Sequence, residues 1–163
     1  MVIALGKIRV ITVGPLRSFY LDGAKDYVRR LTPYASTHLS SVRPEPLPAR
    51  LVPGMAEQIK DKEGARLLAA AGNEGLLLAL DSGGENFTSE AFAHQLDAWW
   101  VESGSRLTFV IGGTLGLAES VRRAARARLS LSSLTFPHEL AALVLLEQIY
   151  RAFRILRGEP YHH

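Results

Sequence analysis

Side chains able to do chemistry gather in the last third of the chain. Residues 130–140 read SLSSLTFPHEL, with the hydroxyls of Ser132, Ser133 and Thr135 just ahead of Pro137, His138 and Glu139. Pro137 suits the first position of a helix, where its missing N–H costs nothing, and His138 and Glu139 then fall in the first turn. The hydroxyls can cap that helix, or the run can be a loop whose backbone amides and carbonyls grip a planar heterocycle. Pro160, Tyr161, His162 and His163 put a phenol beside imidazoles, a pair able to stack on a base and exchange a proton, or else a loose terminus. Between these stretches Glu147, Tyr150 and Arg151 interrupt an apolar run, and a buried Glu147 needs an arginine partner.

Other chemistries lack their residues. The chain has no cysteine, which removes disulfides and thiolate metal sites. Its five histidines show no metal-ligand spacing such as HExxH, so no metal is expected. GxSxG and Walker A patterns are missing. The loop GGTLGL at 112–117 has neither the glycine spacing nor the early position of a dinucleotide fingerprint.

The elements that must carry these residues alternate. Strands are expected at 7–13, 38–43, 76–80, 107–111 and near Leu129. Helices are expected at 19–31, 56–71, from a Thr88 or Ser89 cap to Glu102, at 118–125 and at 139–156. The order argues for an α/β layered fold: a mainly parallel sheet with helices on both faces. The unbroken run LLLAL at 76–80, ending in Asp81-Ser82-Gly83-Gly84, suits a strand buried on both sides. Ligands of such sheets collect at the carboxyl ends of strands, here Leu80-Asp81, the 112–116 loop and the 130–136 loop. The last helix is apolar over more than one stripe, which implies burial on two sides: a homodimer built largely on it is expected, with a helix deeply buried within one subunit as the competing explanation.

With 163 residues, 47% hydrophobic and 21% charged, the chain is expected to be one domain, 1–163, soluble and intracellular, with no membrane span and no signal peptide. A net charge of +3 permits a polyanionic partner. Arg122, Arg123, Arg126 and Arg128, and then Arg151, Arg154 and Arg157, form two basic groups that suit phosphate contacts or solvated helix faces.

VIGGTLGL, SLSSLTFPHEL, LLEQIYRAF and PYH, in this order and at these distances from the chain end, resemble the RlmH family of SPOUT methyltransferases. ITVG, DYVRRLTPY and DKEGARLLAAAG extend the resemblance over nearly the whole length. It implies a C-terminal trefoil knot, a homodimer, a cytoplasmic location and S-adenosyl-L-methionine as cofactor. The implied target is N3 of a pseudouridine in helix 69 of the large-subunit (23S) ribosomal RNA, in the assembled ribosome. The cofactor positions it implies are Leu80, Gly113, Ser133, Leu134, Thr135, Phe136, Pro137 and His138, with Gly112 as the other half of the turn. Tyr161 and His162 match the tail that the family places near the methyl group, and Arg151 matches the arginine of YRA. In that scheme His162 takes or relays the imide proton, Tyr161 positions the base and Arg151 stabilises negative charge.

Three departures each remove positive charge. Ala142 stands where the family has an arginine, His163 replaces a basic terminal residue, and prolines replace lysines between Arg43 and Arg50. Two other classes compete with the enzyme: an RNA- or ribosome-binding protein that kept the cofactor fold without turnover, and a small nucleotide- or flavin-binding oxidoreductase. The second has no dinucleotide fingerprint.

Overall fold

Alternation in the strands sets the layers. Along β1 (Lys7–Val13), Ile8 and Val10 point to one side of the sheet and Ile11 and Val13 to the other, and each pair joins a separate apolar cluster. The computed structural model describes residues 6–161. After β1 come α1 (Ser18–Leu31), β2 (Ser36–Val42), α2 (Met55–Ala71), β3 (Leu76–Asn86) and α3 (Ser89–Glu102). β4 (Arg106–Ile111), α4 (Glu119–Ala124), β5 (Ala127–Ser130) and α5 (His138–Leu156) complete the order.

The five strands pair in parallel in the order β2-β1-β4-β3-β5. The larger cluster, on one face, draws on α1, α3 and α5; the smaller one, on the other, draws on α2 and α4. The α/β layered fold with helices on both faces follows from the sequence pattern, and the strand order is consistent with the trefoil knot implied by the resemblance. Arg9 ties the sheet to α2: its guanidinium donates to Ala70 O at 3.1 Å and Ala71 O at 2.5 Å, satisfying carbonyls that the helix end leaves open, and to Glu74 O at 3.3 Å in the turn beyond.

β3 departs from expectation. It does not stop at Leu80 but resumes pairing and runs to Asn86, with Leu80 and Glu85 both opposite Leu129. Residues 81–84 are therefore a bulge within β3 and not the end of the strand. Gly84 makes the bulge possible, because a Cβ there would sit 2.7 Å from the Leu129 backbone N. The start of α5 differs too. Pro137 is the N-cap, one residue ahead of the expected place, and no hydroxyl caps the helix. Ser132 Oγ instead accepts from the Leu134 N–H at 3.0 Å, and Ser130 Oγ donates to Ser132 O at 2.9 Å, so the hydroxyls shape the loop itself.

Candidate active site

Because β4, β3 and β5 are neighbours and parallel, their carboxyl ends lie side by side. The loops leaving them enclose a cleft of about 520 Å³. Leu80 ends the inner part of β3 and, with Ile111 and Leu129, gives the cleft an apolar floor. Gly112 and Gly113 form one wall. Gly116 N–H closes back onto Gly113 O at 3.0 Å, and a Cβ on Gly113 would come within 2.7 Å of Glu63 Oε2 and 3.1 Å of Val13 Cγ1. Only glycine lets the loop pass so close to its neighbours. Leu134, Thr135, Phe136, Pro137 and His138 form the facing wall. Ser133 does not line the cleft, although its chain neighbours Ser132 and Leu134 do.

Local bonds hold the walls. His138 Nε2 donates to Pro15 O at 3.3 Å, and the Glu139 carboxylate accepts the Arg17 N–H at 2.7 Å, joining the start of α5 to the loop after β1. Asp81, with a side chain only 6% exposed, receives Arg122 Nε and Arg128 Nη1, each at 3.2 Å. Two of the four arginines that suited phosphate contact thus brace the cleft. The other two, Arg123 and Arg126, pair with Glu119 at 3.3 Å and Glu102 at 2.7 Å on the surface.

Arg151 and Tyr161, two of the residues expected to handle the base and its proton, lie elsewhere. Arg151 is on α5, thirteen residues beyond His138, roughly 20 Å along a helix axis. Its Nη2 meets Glu147 Oε1 at 2.7 Å, which supplies an arginine partner to a glutamate that is partly and not fully buried. Tyr161 packs beside them: its hydroxyl donates to Glu147 Oε1 at 3.2 Å, and its ring lies 4.8 Å from the Arg151 guanidinium and 4.9 Å from the Tyr150 ring. Burial, a bond to Tyr27 and the Glu147 charge push the Tyr161 hydroxyl well above the ordinary tyrosine range, so at neutral pH it is a donor and not a base. Bonding to Glu147 raises Arg151 as well, keeping it cationic. His162, named above for proton transfer, lies outside the described residues.

One group escaped the sequence reading. Glu63 is 5% exposed, at the rear of the Gly113 loop, and burial pushes its carboxyl above the usual range against the opposing pull of the Glu45 backbone and the Arg66 charge. Its signal was there: with Ile59 and Leu67 it occupies an i, i+4, i+8 stripe of α2 that is otherwise apolar. Among the described residues, no group of three or more His, Cys, Asp or Glu side chains is placed to hold a metal ion, and no helix is long and apolar enough to cross a membrane. Ala142 is fully buried in the larger cluster.

A family model described as "Predicted SPOUT methyltransferase" matches residues 7–162. The chain is 45% identical over 157 residues to the ribosomal RNA large subunit methyltransferase H of Carboxydothermus hydrogenoformans, covering 96% of this chain and 99% of that one. To the protein of the same name from Listeria monocytogenes it is 46% identical over 156 residues, covering 95% and 98%. In fold it is similar to the crystal structure of a probable methylase family protein from Haemophilus influenzae, with TM-score 0.56 at 11% identity, over 96% of this chain and 70% of that one. With the sheet order, the glycine loop and the hydroxyl loop in place, these likenesses make the chain a member of the SPOUT methyltransferases, in the ribosomal RNA large subunit methyltransferase H family.

Proposed function

We propose that this protein is a cytoplasmic, single-domain methyltransferase acting on large-subunit ribosomal RNA. Its methyl donor is S-adenosyl-L-methionine and its target is N3 of a pseudouridine in helix 69 of the assembled ribosome. The observation that carries the reading is the cleft at three adjacent strand ends, lined by the loops that carry the family resemblance. Its volume of about 520 Å³ is in the range of small-molecule sites. Its chemistry also suits a nucleoside thioether: an apolar floor at Leu80 and Leu129 for a ring, and open backbone groups in the 130–137 loop to read that ring's edges. Leu80, Gly112, Gly113, Leu134, Thr135, Phe136, Pro137 and His138 would hold the cofactor; Ser133 would support the loop from outside the lining.

When bound, S-adenosylmethionine supplies a methyl group already activated by its sulfonium. The protein's share is alignment, exclusion of water and removal of the imide proton from the target nitrogen. Tyr161 donates a hydrogen bond and orients the base, Arg151 favours the imide anion, and His162 takes the proton. Arg151, with Tyr161 packed beside it, lies roughly 20 Å along α5 from His138, too far for one chain to bring both halves together through that helix. α5 keeps Leu140, Leu143 and Val144 only partly buried. A two-fold homodimer that packs two copies of α5 antiparallel would cover this face and set the arm of one protomer beside the cleft of its partner. The active site is then shared between subunits.

The test is to incubate the protein and labelled S-adenosylmethionine with ribosomes from a strain lacking the modification, then digest the RNA and locate the label by mass spectrometry. Label on N3 of a helix 69 pseudouridine is expected. Label elsewhere, or none although the cofactor binds, would overturn the assignment.

A further inference from the structure

α5 ends in a complete Schellman motif. Gly158 adopts φ +65°, its N–H donates to Ile155 O at 3.0 Å, and the Glu159 N–H donates to Arg154 O at 2.9 Å. The turn sends residues 159–161 back along the helix, so that Tyr161 reaches Glu147, 14 positions earlier. Three returning residues cannot order themselves, and three side chains hold them. The Arg154 guanidinium forks, with Nη1 on the Glu159 carboxylate and Nη2 on Pro160 O at 2.9 Å. Glu159 Oε2 also accepts from the Tyr34 hydroxyl at 2.5 Å. Tyr34 is 7% exposed, stacks on Phe153 at 5.2 Å and has the Arg157 guanidinium 4.5 Å from its ring centre. None of Tyr34, Arg154 and Glu159 lines the cleft.

We propose that Tyr34, Arg154 and Glu159 form a clasp that positions the C-terminal arm for methyl transfer. They are positioning residues. They fix where Tyr161 stands against Arg151 and Glu147, and they act on the transfer step without touching the cofactor cleft. The inference rests on the reading of Tyr161 and Arg151 as part of the site. Its physical content is entropy: an unclasped arm must be ordered at every encounter with RNA, whereas a clasped one is ordered beforehand. Burial, and next the bond to Glu159, push the Tyr34 hydroxyl above its ordinary range, so it stays a donor throughout the neutral region.

The test compares single-turnover methyl transfer to unmodified ribosomes for wild type, Glu159→Ala, Glu159→Gln and Arg154→Lys, alongside S-adenosylmethionine affinity by calorimetry and Tm. For Glu159→Ala the rate at saturating substrates is expected to fall roughly 10- to 100-fold, the cost of a misplaced catalytic group, at unchanged cofactor affinity. Arg154→Lys loses part of the rate, because an ammonium cannot fork between a carboxylate and the Pro160 carbonyl. Glu159→Gln keeps the shape and an acceptor oxygen and recovers part of what alanine loses, which a general loss of fold would not show. A wild-type rate in Glu159→Ala, or a cofactor affinity that falls in step with the rate, overturns the clasp. A wild-type protein that binds cofactor and transfers nothing overturns the underlying functional reading instead, so the two failures are told apart.

Discussion

The two ends of α5 are built from different materials. At its start the cleft is made of backbone: a glycine turn, a loop shaped by its own hydroxyls and an apolar floor, braced by the Asp81 side chain with its two arginines and by Glu139 on the loop after β1. At its end the arm is held by side-chain charge and aromatic rings, in two groups, Glu147 with Arg151 and Tyr161 and Arg154 with Glu159 and Tyr34, joined by the Tyr150 ring. Backbone walls give shape and tolerate no added atoms. Charged contacts give position and tolerate exchange at a graded cost. The first arrangement suits a fixed small ligand, and the second suits the handling of a base and its proton.

The sharpest way to break this comparison is to disable each end in a separate chain. Gly113→Val drives a branched side chain into Glu63 and Val13 and should weaken cofactor binding about 10- to 100-fold, as overpacking of a tight site does. Tyr161→Ala should leave cofactor affinity intact and lower the transfer rate. Co-refolded as a 1:1 mixture, the two chains should recover roughly a quarter of wild-type activity if each site joins two subunits, since half the dimers then carry one intact site. Recovery no greater than either parent would place cleft and arm in the same chain.

A smaller effect separates the arginines. Arg123 and Arg126 are paired on the surface, where ion pairs exchange readily with phosphates, so neutralising both should flatten the salt dependence of ribosome binding by about two in log–log slope. Arg122→Gln and Arg128→Gln should instead lower cofactor affinity, because they leave Asp81 buried without its partners. Equal slopes for all four would erase the distinction.

The smallest effect concerns stability. Glu63 has a folded-state value above its unfolded one, so the native state holds that proton longer. Its contribution to stability therefore declines as pH rises through the interval between the two values. Glu63→Gln should remove that decline and raise Tm more at pH 8 than at pH 5. A Tm gain independent of pH would mean that the carboxyl is not the titrating group.

Much of this was legible in the sequence, and the exceptions share a cause. The strand and helix runs could be read because a strand alternates and a helix repeats within a few residues. The hydroxyl loop, the glycine loop and the Glu147–Arg151 pair were local too. The strand is expected to end at Leu80, and its continuation through the 81–84 bulge is not legible, because the defining contact, Gly84 against the backbone of β5, joins positions over forty residues apart. The role of the hydroxyls stays open in the sequence, because capping and loop-internal bonding use the same residues, and only the path of the chain chooses between them. Glu63 interrupted an apolar stripe visibly, but what it would meet was not visible.

The sequence by itself determined the element order, the α/β class, the family resemblance and which residue types carry chemistry, all of which rest on neighbours along the chain. Only the tertiary structure decided that β4, β3 and β5 stand side by side, that Arg122 and Arg128 turn inward to one carboxylate, and that Tyr161 folds back onto α5 far from the cleft. Strand order and charge pairing depend on which distant segments share a face. That is settled by the joint packing of two helix layers on one sheet, and no stretch of the chain encodes it alone.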